Sequence, residues 1–182
     1  KLGPIDSKLF GKHNMQNITA AIAALASLGL NPKKLMASAQ NFIGVKRRLE
    51  YVGEFSNIHL FDDFAHHPTA IKASLSAMKS KFQSSQLYAI IELASNTMRK
   101  GSLKSDLKES FNDAEYVWIL DSGDTEWNVE KEFQEDKNIC VVKNLDDLSD
   151  QLWTKLKCDD TVVIMTNKDS VEIRDIFVKG PS

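Results

Sequence analysis

Two acids and two imidazoles stand close together in Asp62-Asp63-Phe64-Ala65-His66-His67-Pro68. Carboxylates accept hydrogen bonds from ligand hydroxyls, and imidazoles near neutral pH donate, accept or bind metal. Three chemistries suit this set. Asp63 can accept from a ribose, with His66 and His67 near phosphate or substrate. Alternatively, Asp62, Asp63, His66 and His67 are ligands of a zinc- or manganese-dependent hydrolase. In the third reading they are only turn and capping residues. The two-residue gap between the pairs is weak evidence for metal, and the remaining histidines, His13 and His59, make no distant third cluster. No metal ligand set is therefore expected.

Gly11-Lys12-His13-Asn14-Met15-Gln16-Asn17 puts an imidazole and carboxamides at the start of a helix. Carboxamides donate and accept together, as reading a nucleobase edge requires. Asn14 either does this or caps the helix. Asn17 lies with Asn14, Ala21 and Ala24 on a small-residue edge that another surface can approach. Arg47-Arg48 is either a solvated linker pair or a planar fork for phosphate. Ser95-Asn96-Thr97-Met98-Arg99 offers hydroxyls, an amide and a guanidinium to a peptide carboxylate. Its plainer reading is a polar loop, with Ser102 capping the next helix. Ser170 reads as a helix N-cap, and Trp118, Trp127 and Trp153 read as packing residues.

The elements that must carry these residues follow from periodicity. Met15, Ile18, Ile22 and Leu25 form one stripe of a helix over 14–28, which Gly29 ends. A second helix spans 32–42, with Asn31 as its cap. Residues 1–12 read as loop. Gly44-Val45-Lys46-Arg47-Arg48 reads as a linker, which places a domain boundary between 45 and 46. From there strands are expected at 49–54, 57–62, 87–92, 115–120, 138–142 and 161–166, and helices at 68–81, 101–112, 144–157 and 170–178. Leu87-Tyr88-Ala89-Ile90-Ile91 and Val162-Val163-Ile164-Met165 are continuous apolar runs, as strands covered on both faces should be. The first two strands are close enough for an antiparallel hairpin. The fold class is therefore α/β: a Rossmann-like, mixed and mostly parallel six-stranded sheet flanked by helices. The Asp–His segment then lies between a strand's C-terminal end and a helix N-terminus, where open α/β sheets bind ligands.

The 182 residues carry a net charge of -2, which gives no electrostatic case for nucleic acid or an anionic membrane. Cys140 and Cys158 sit in no metal-spaced motif, so a reduced cytoplasmic setting is expected. The longest apolar run, Ile18 to Leu30, falls short of the roughly 20 residues of a bilayer span. The chain opens on Lys1 rather than Met, which suggests a piece of something longer.

Taken in order, four segments resemble the Mur ligases. They are Gly11-x-His13-Asn14-x-x-Asn17, Gly44-Val45-Lys46-Arg47-Arg48-Leu49-Glu50, Asp62 through Thr69, and Ser95-Asn96-Thr97-Met98-Arg99-x-Gly101. The resemblance runs from about residue 9 to the end. Asp-Phe-Ala-His-His-Pro-Thr paired with Ser-Asn-Thr-Met-Arg is similar to the peptidoglycan-recycling branch. The branch that adds L-alanine to UDP-N-acetylmuramate usually carries Tyr-Gly where this chain has Phe64-Ala65.

This resemblance implies an ATP- and Mg2+-dependent amide-bond-forming ligase of three domains. Its substrates are UDP-N-acetylmuramate and the murein tripeptide L-Ala-γ-D-Glu-meso-diaminopimelate, joined through an acyl phosphate. Residues 1–45 would be the tail of the central ATP-binding domain and 46–182 the C-terminal domain, with the remainder of the chain as partner. His13, Asn14 and Asn17 would sit at the adenine, Arg48 at the γ-phosphate and Asp63 at the ribose. His66 and His67 would line the cleft, and Ser95, Asn96, Thr97 and Arg99 would face the tripeptide. The sequence has no Gly-x-x-Gly-Lys-Thr loop, the backbone cradle for ATP phosphates, so alone it is expected to be inactive. The L-alanine-adding ligase and a non-catalytic nucleotide- or peptide-binding module are the alternatives that stand beside this reading and the hydrolase.

Two departures bear on the peptide end. Leu93-Ala94 stands where close relatives carry Pro-Arg. Asn167-Lys168-Asp169-Ser170-Val171-Glu172 replaces a glycine-rich loop whose glycines permit close backbone approach.

Overall fold

The structure, a computed structural model, describes residues 3–181; residues 1 and 2 of the expected N-terminal loop, and residue 182, lie outside it. The chain divides into two compact units, Lys1–Lys46 and Arg47–Ser182.

The first unit holds helices α1 (Lys12–Ser27) and α2 (Pro32–Asn41). Gly11, at φ 89°, is the N-cap of α1, so Asn14 does not cap it as one reading expected. Instead Asn14 Nδ2 donates back to the Phe10 carbonyl at 2.8 Å. Gly29 ends α1 with φ 87°. Its N–H reaches Ala26 O, and Leu30 N–H reaches Leu25 O, the paired bonds of a Schellman stop. Asn31 caps α2 as expected, accepting from Lys33 and Lys34 N–H, with Pro32 at the first position.

The second unit builds one six-stranded sheet in the order β1-β2-β6-β3-β4-β5. Its strands are β1 (Glu50–Phe55), β2 (Ile58–Asp63), β3 (Leu87–Glu92), β4 (Tyr116–Leu120), β5 (Ile139–Val142) and β6 (Thr161–Met165). The helices are α3 (Pro68–Lys81), α4 (Asn96–Arg99), α5 (Lys104–Ser110), α6 (Val129–Phe133), α7 (Leu145–Lys155) and α8 (Val171–Lys179). Among the described strand pairs only β1–β2 is antiparallel. Ser56 and Asn57 close that hairpin with φ 50° and 61°, the backbone sign of a two-residue turn matched to strand twist. The expected mixed, mostly parallel sheet flanked by helices is what forms.

Alternation along the strands divides the core into two layers. Leu60, Ile90, Trp118, Val162 and Ile164 pack with Leu148 and Leu152 of α7 and Ile173, Ile176 and Phe177 of α8. Connections through α3, α5 and α6 advance in one direction along the sheet, whereas the one through α7 returns. Right-handed crossovers then place α7 opposite the first three. The chain leaves β2 and β3 toward one face and β6, between them, toward the other. Loops part at such a point, and that gap is where ligands bind.

The helix expected over 101–112 is broken. A one-turn α4 precedes it, Gly101 (φ 68°) interrupts, and α5 begins only at Lys104. Ser102 is not its cap; Leu103 occupies that position without a side-chain bond. The single turn α6 was also not anticipated, being too short to show a helical period.

Candidate functional site

The C-terminal ends of β2, β6 and β3 are tied together by side chains that the strands and helices aim there. Asp62 and Asp63 are both buried at the end of β2. Adjacent strand residues face opposite ways, and the two carboxylates do. Asp63 turns to α3, where Ser74 Oγ donates to its Oδ2 at 2.9 Å, while Ala65 N–H donates to its Oδ1 at 2.8 Å. Asp62 turns to α8, accepting from Ser170 Oγ at 2.7 Å and from Arg174. Arg47 Nε lies 3.3 Å from the same oxygen, an ion pair without the alignment of a hydrogen bond. Asp62 Oδ1 is buried with no hydrogen-bond partner.

Burial pushes the Asp63 carboxyl above its ordinary value; the bonds from Ser74 and Ala65, the Arg48 charge and the Leu49 N–H pull the other way.

Next to Asp63, Arg47 and Leu49 both adopt left-handed backbone, at φ 57° and 50°. Non-glycine residues take that region only where their surroundings impose it. Arg47 is heavily engaged: its Nη2 donates to Thr166 O at 2.7 Å and its N–H to Glu50 Oε2 at 2.7 Å. Arg48 is the opposite. It is exposed, its guanidinium lies 5.6 Å from the Phe64 ring centroid, and no hydrogen bond or ion pair holds it among the described residues. A free, ring-supported fork of this kind suits an anion.

His66 Nδ1 lies 2.8 Å from Phe64 O. A carbonyl only accepts, so Nδ1 carries the hydrogen and Nε2 of the neutral ring is an acceptor. His67 is the N-cap of α3, its Nδ1 accepting from Thr69 N–H at 3.4 Å. Arg48, Asp63 and His66 thus gather around Phe64, with His67 one residue beyond.

At the end of β3, Ser95 caps α4, accepting from Met98 N–H at 3.4 Å, which leaves Asn96 and Thr97 exposed. Arg99 is engaged by Asp124 at 3.1 Å, so a ligand carboxylate must share or displace that partner. Buried Glu92 accepts from Thr166 Oγ1 and pairs with Lys168 Nζ at 3.0 Å, joining β3 to the loop after β6. Ser170 stands at the N-cap position of α8 but makes no cap bond, contrary to expectation, because its hydroxyl goes to Asp62. In the first unit, His13 and Asn14 are half-buried and Asn17 is exposed.

Ser74, Glu92 and Arg174 escaped the sequence reading, and Thr166 and Lys168 were given no role in it. One left a signal. Ser74 shares the apolar face of α3 with Ile71, Leu75 and Met78. A polar residue at a core-facing position implies a buried partner.

The metal-hydrolase reading finds no ligand set: no group of three or more His, Cys, Asp or Glu could hold a metal ion among the described residues. Nor is any helix among them long and apolar enough to cross a membrane.

Residues 47–167 match the Mur ligase, glutamate ligase domain family. The chain belongs to the Mur ligases. It is 35% identical over 173 residues to the UDP-N-acetylmuramate--L-alanyl-gamma-D-glutamyl-meso-2,6-diaminoheptandioate ligase of Escherichia coli, covering 92% of this chain and 37% of that protein. A UDP-N-acetylmuramate--L-alanine ligase from Endomicrobium trichonymphae is 36% identical, over 66% of this chain and 27% of its own. Among solved structures, the murein peptide ligase of Psychrobacter arcticus superimposes with a TM-score of 0.72 at 33% identity, over 96% of this chain and 37% of that one. The chain therefore spans little more than a third of the length of the Escherichia coli and Psychrobacter arcticus ligases. Mur ligases use ATP and Mg2+, and the free Arg48 fork fits the polyphosphate of such a nucleotide.

Proposed function

We propose that this chain is the C-terminal part of an ATP-dependent ligase joining UDP-N-acetylmuramate to L-Ala-γ-D-Glu-meso-diaminopimelate in peptidoglycan recycling, in the cytoplasm. The observation that carries this reading is Arg48, an unengaged guanidinium presented at the C-terminal edge of the sheet between two residues in left-handed backbone. The choice of branch is supported by reach. Similarity to the tripeptide-adding ligase covers 92% of this chain, against 66% for the L-alanine-adding one.

Bound ATP supplies an activated phosphoryl group for the sugar's carboxylate. This chain contributes charge and orientation. Arg48 approaches the γ-phosphate, where a fixed cation stabilises charge that grows in the transition state. Asp63 accepts from the ribose; its two oxygens offer about four acceptor sites, and Ala65 N–H, Ser74 Oγ and Leu49 N–H leave one of them for a ligand hydroxyl. His13, Asn14 and Asn17 read the adenine. His66 and His67 line the approach to phosphate and substrate. Ser95, Asn96, Thr97 and Arg99 face the peptide, Ser95 chiefly by holding the turn. ATP and Mg2+ are held mainly by parts of the ligase beyond residues 1–45, which we assign to the end of its central domain, and this chain alone is inactive.

The test uses the full-length ligase, following phosphate release with UDP-N-acetylmuramate and either tripeptide or free L-alanine. Arg48→Ala is expected to lower kcat about a hundredfold or more, with tripeptide the better substrate. Unchanged turnover removes Arg48 from the reaction, and preference for L-alanine reassigns the branch.

A further inference from the structure

Arg48 makes no hydrogen bond or ion pair among the described residues, yet the backbone that presents it is tightly constrained. The constraint comes from Arg47. Its N–H donates to Glu50 Oε2 at 2.7 Å, and its carbonyl accepts from Phe64 N–H at 2.8 Å. Its side chain bridges two elements, reaching the Thr166 carbonyl at 2.7 Å and the Asp62 carboxylate at 3.3 Å. Asp62 is fully buried and is itself held by Ser170 and Arg174 from the first turn of α8. On the other side of Arg48, Leu49 is buried in left-handed backbone. Arg48 is therefore fixed at both flanks, and the direction in which its side chain leaves the sheet is set by its neighbours.

We propose that Arg47, anchored on Asp62, is a positioning residue for Arg48. Its charge is spent inside the protein, against a buried carboxylate and a carbonyl, and it holds the 47–49 backbone so that the next guanidinium points outward. The two arginines look interchangeable in sequence and have divided the work: one builds the mount and the other meets the anion. The sparse contacts of Arg48 make this necessary, because a long side chain with a single ring contact is otherwise free among rotamers. The inference rests on the proposed role of Arg48 at the transferring phosphoryl group.

A merely structural Arg47 and a positioning Arg47 differ in how they couple to Arg48. The test measures kcat for the full-length ligase with Arg47→Ala, Arg48→Ala and both. Arg47→Ala is expected to lower kcat roughly tenfold to a hundredfold, the scale of a misplaced catalytic group. In the Arg48→Ala background the same change should lower it by less than about twofold. An equal fall in both backgrounds, or no fall in either, overturns the positioning role. A normal kcat for Arg48→Ala alone instead overturns the role of Arg48, a separate and recognisable failure. Should Arg47→Ala not fold, as judged by its thermal unfolding, Arg47→Lys takes its place in the same cycle. Lysine keeps a charge beside Asp62 but lacks the fork that also reaches Thr166.

Discussion

Asp62 and Asp63 are neighbours in sequence but face opposite sides of the sheet. One is bound by Ser170 and Arg174 from α8, the other by Ser74 from α3. Two carboxylates on opposite faces cannot share one metal ion. Purified protein is accordingly expected to carry no stoichiometric zinc or manganese, and chelator treatment should leave its thermal unfolding unmoved. Elemental analysis showing one tightly held ion per chain would falsify the nucleotide-site reading of the Asp–His segment and restore the hydrolase.

Burial raises the Asp63 carboxyl above 3.8 in the folded chain. Between 3.8 and that higher value the native state holds a proton that the unfolded chain has released. Stability contributed by this residue therefore falls as pH rises through that window and is level above it. Asp63→Asn removes the titration while keeping an acceptor for Ala65 N–H and offering a donor to the Ser74 hydroxyl. Urea unfolding at steps from pH 4 to pH 7 should show the wild type gaining on Asp63→Asn as pH falls. A constant difference between the two would place the titration elsewhere.

The sheet was legible because β3 and β6 are built on continuous apolar runs, and the 68–81 helix was legible from Ile71, Leu75 and Met78 with Pro68 at its start. The site was legible only in part. The Asp62-Asp63 pair announces itself by type, and strand alternation already implies that its members part. Their partners come from 11 and 108 residues away, at Ser74 and Ser170. Such pairings depend on which helix packs on which face. Likewise residue type alone does not distinguish Arg47 from Arg48, and only the family resemblance singles out the second. Their difference arises from left-handed backbone at Arg47 and Leu49, a tertiary effect that residue type does not encode.

Gly101 lies against Trp127. A β-carbon there would meet the indole Cγ and Cδ1 at 2.8 Å, and the backbone is at φ 68°. The ring cannot readily retreat, because its Nε1 donates to the Met98 carbonyl at 2.9 Å. Gly101→Ala combines a left-handed alanine, about 1–2 kcal/mol, with an overpacked contact of about 1–3 kcal/mol. A loss of at least about 2 kcal/mol is expected, measured by denaturant unfolding with indole fluorescence as the probe. Because this turn follows Ser95–Arg99, KM for the peptide should rise in the full-length ligase while KM for ATP stays. A stable variant with unchanged fluorescence would mean that the turn and the indole are not packed as described.

Asn14 and Asn17 share a helix but differ in what each already holds. Asn14 Nδ2 is committed to the Phe10 carbonyl at 2.8 Å, whereas Asn17 is exposed with no side-chain hydrogen bond among the described residues. Asn14→Ala should therefore lower both stability, by about 1 kcal/mol for the lost bond, and ATP affinity. Asn17→Ala should weaken ATP alone, since alanine is at least as good a helix former at an exposed position. Thermal unfolding and KM for ATP, measured on the full-length ligase, separate the two. If Asn17→Ala leaves KM for ATP unchanged, the exposed carboxamide does not read the base, and Asn14 and His13 carry the adenine contact without it.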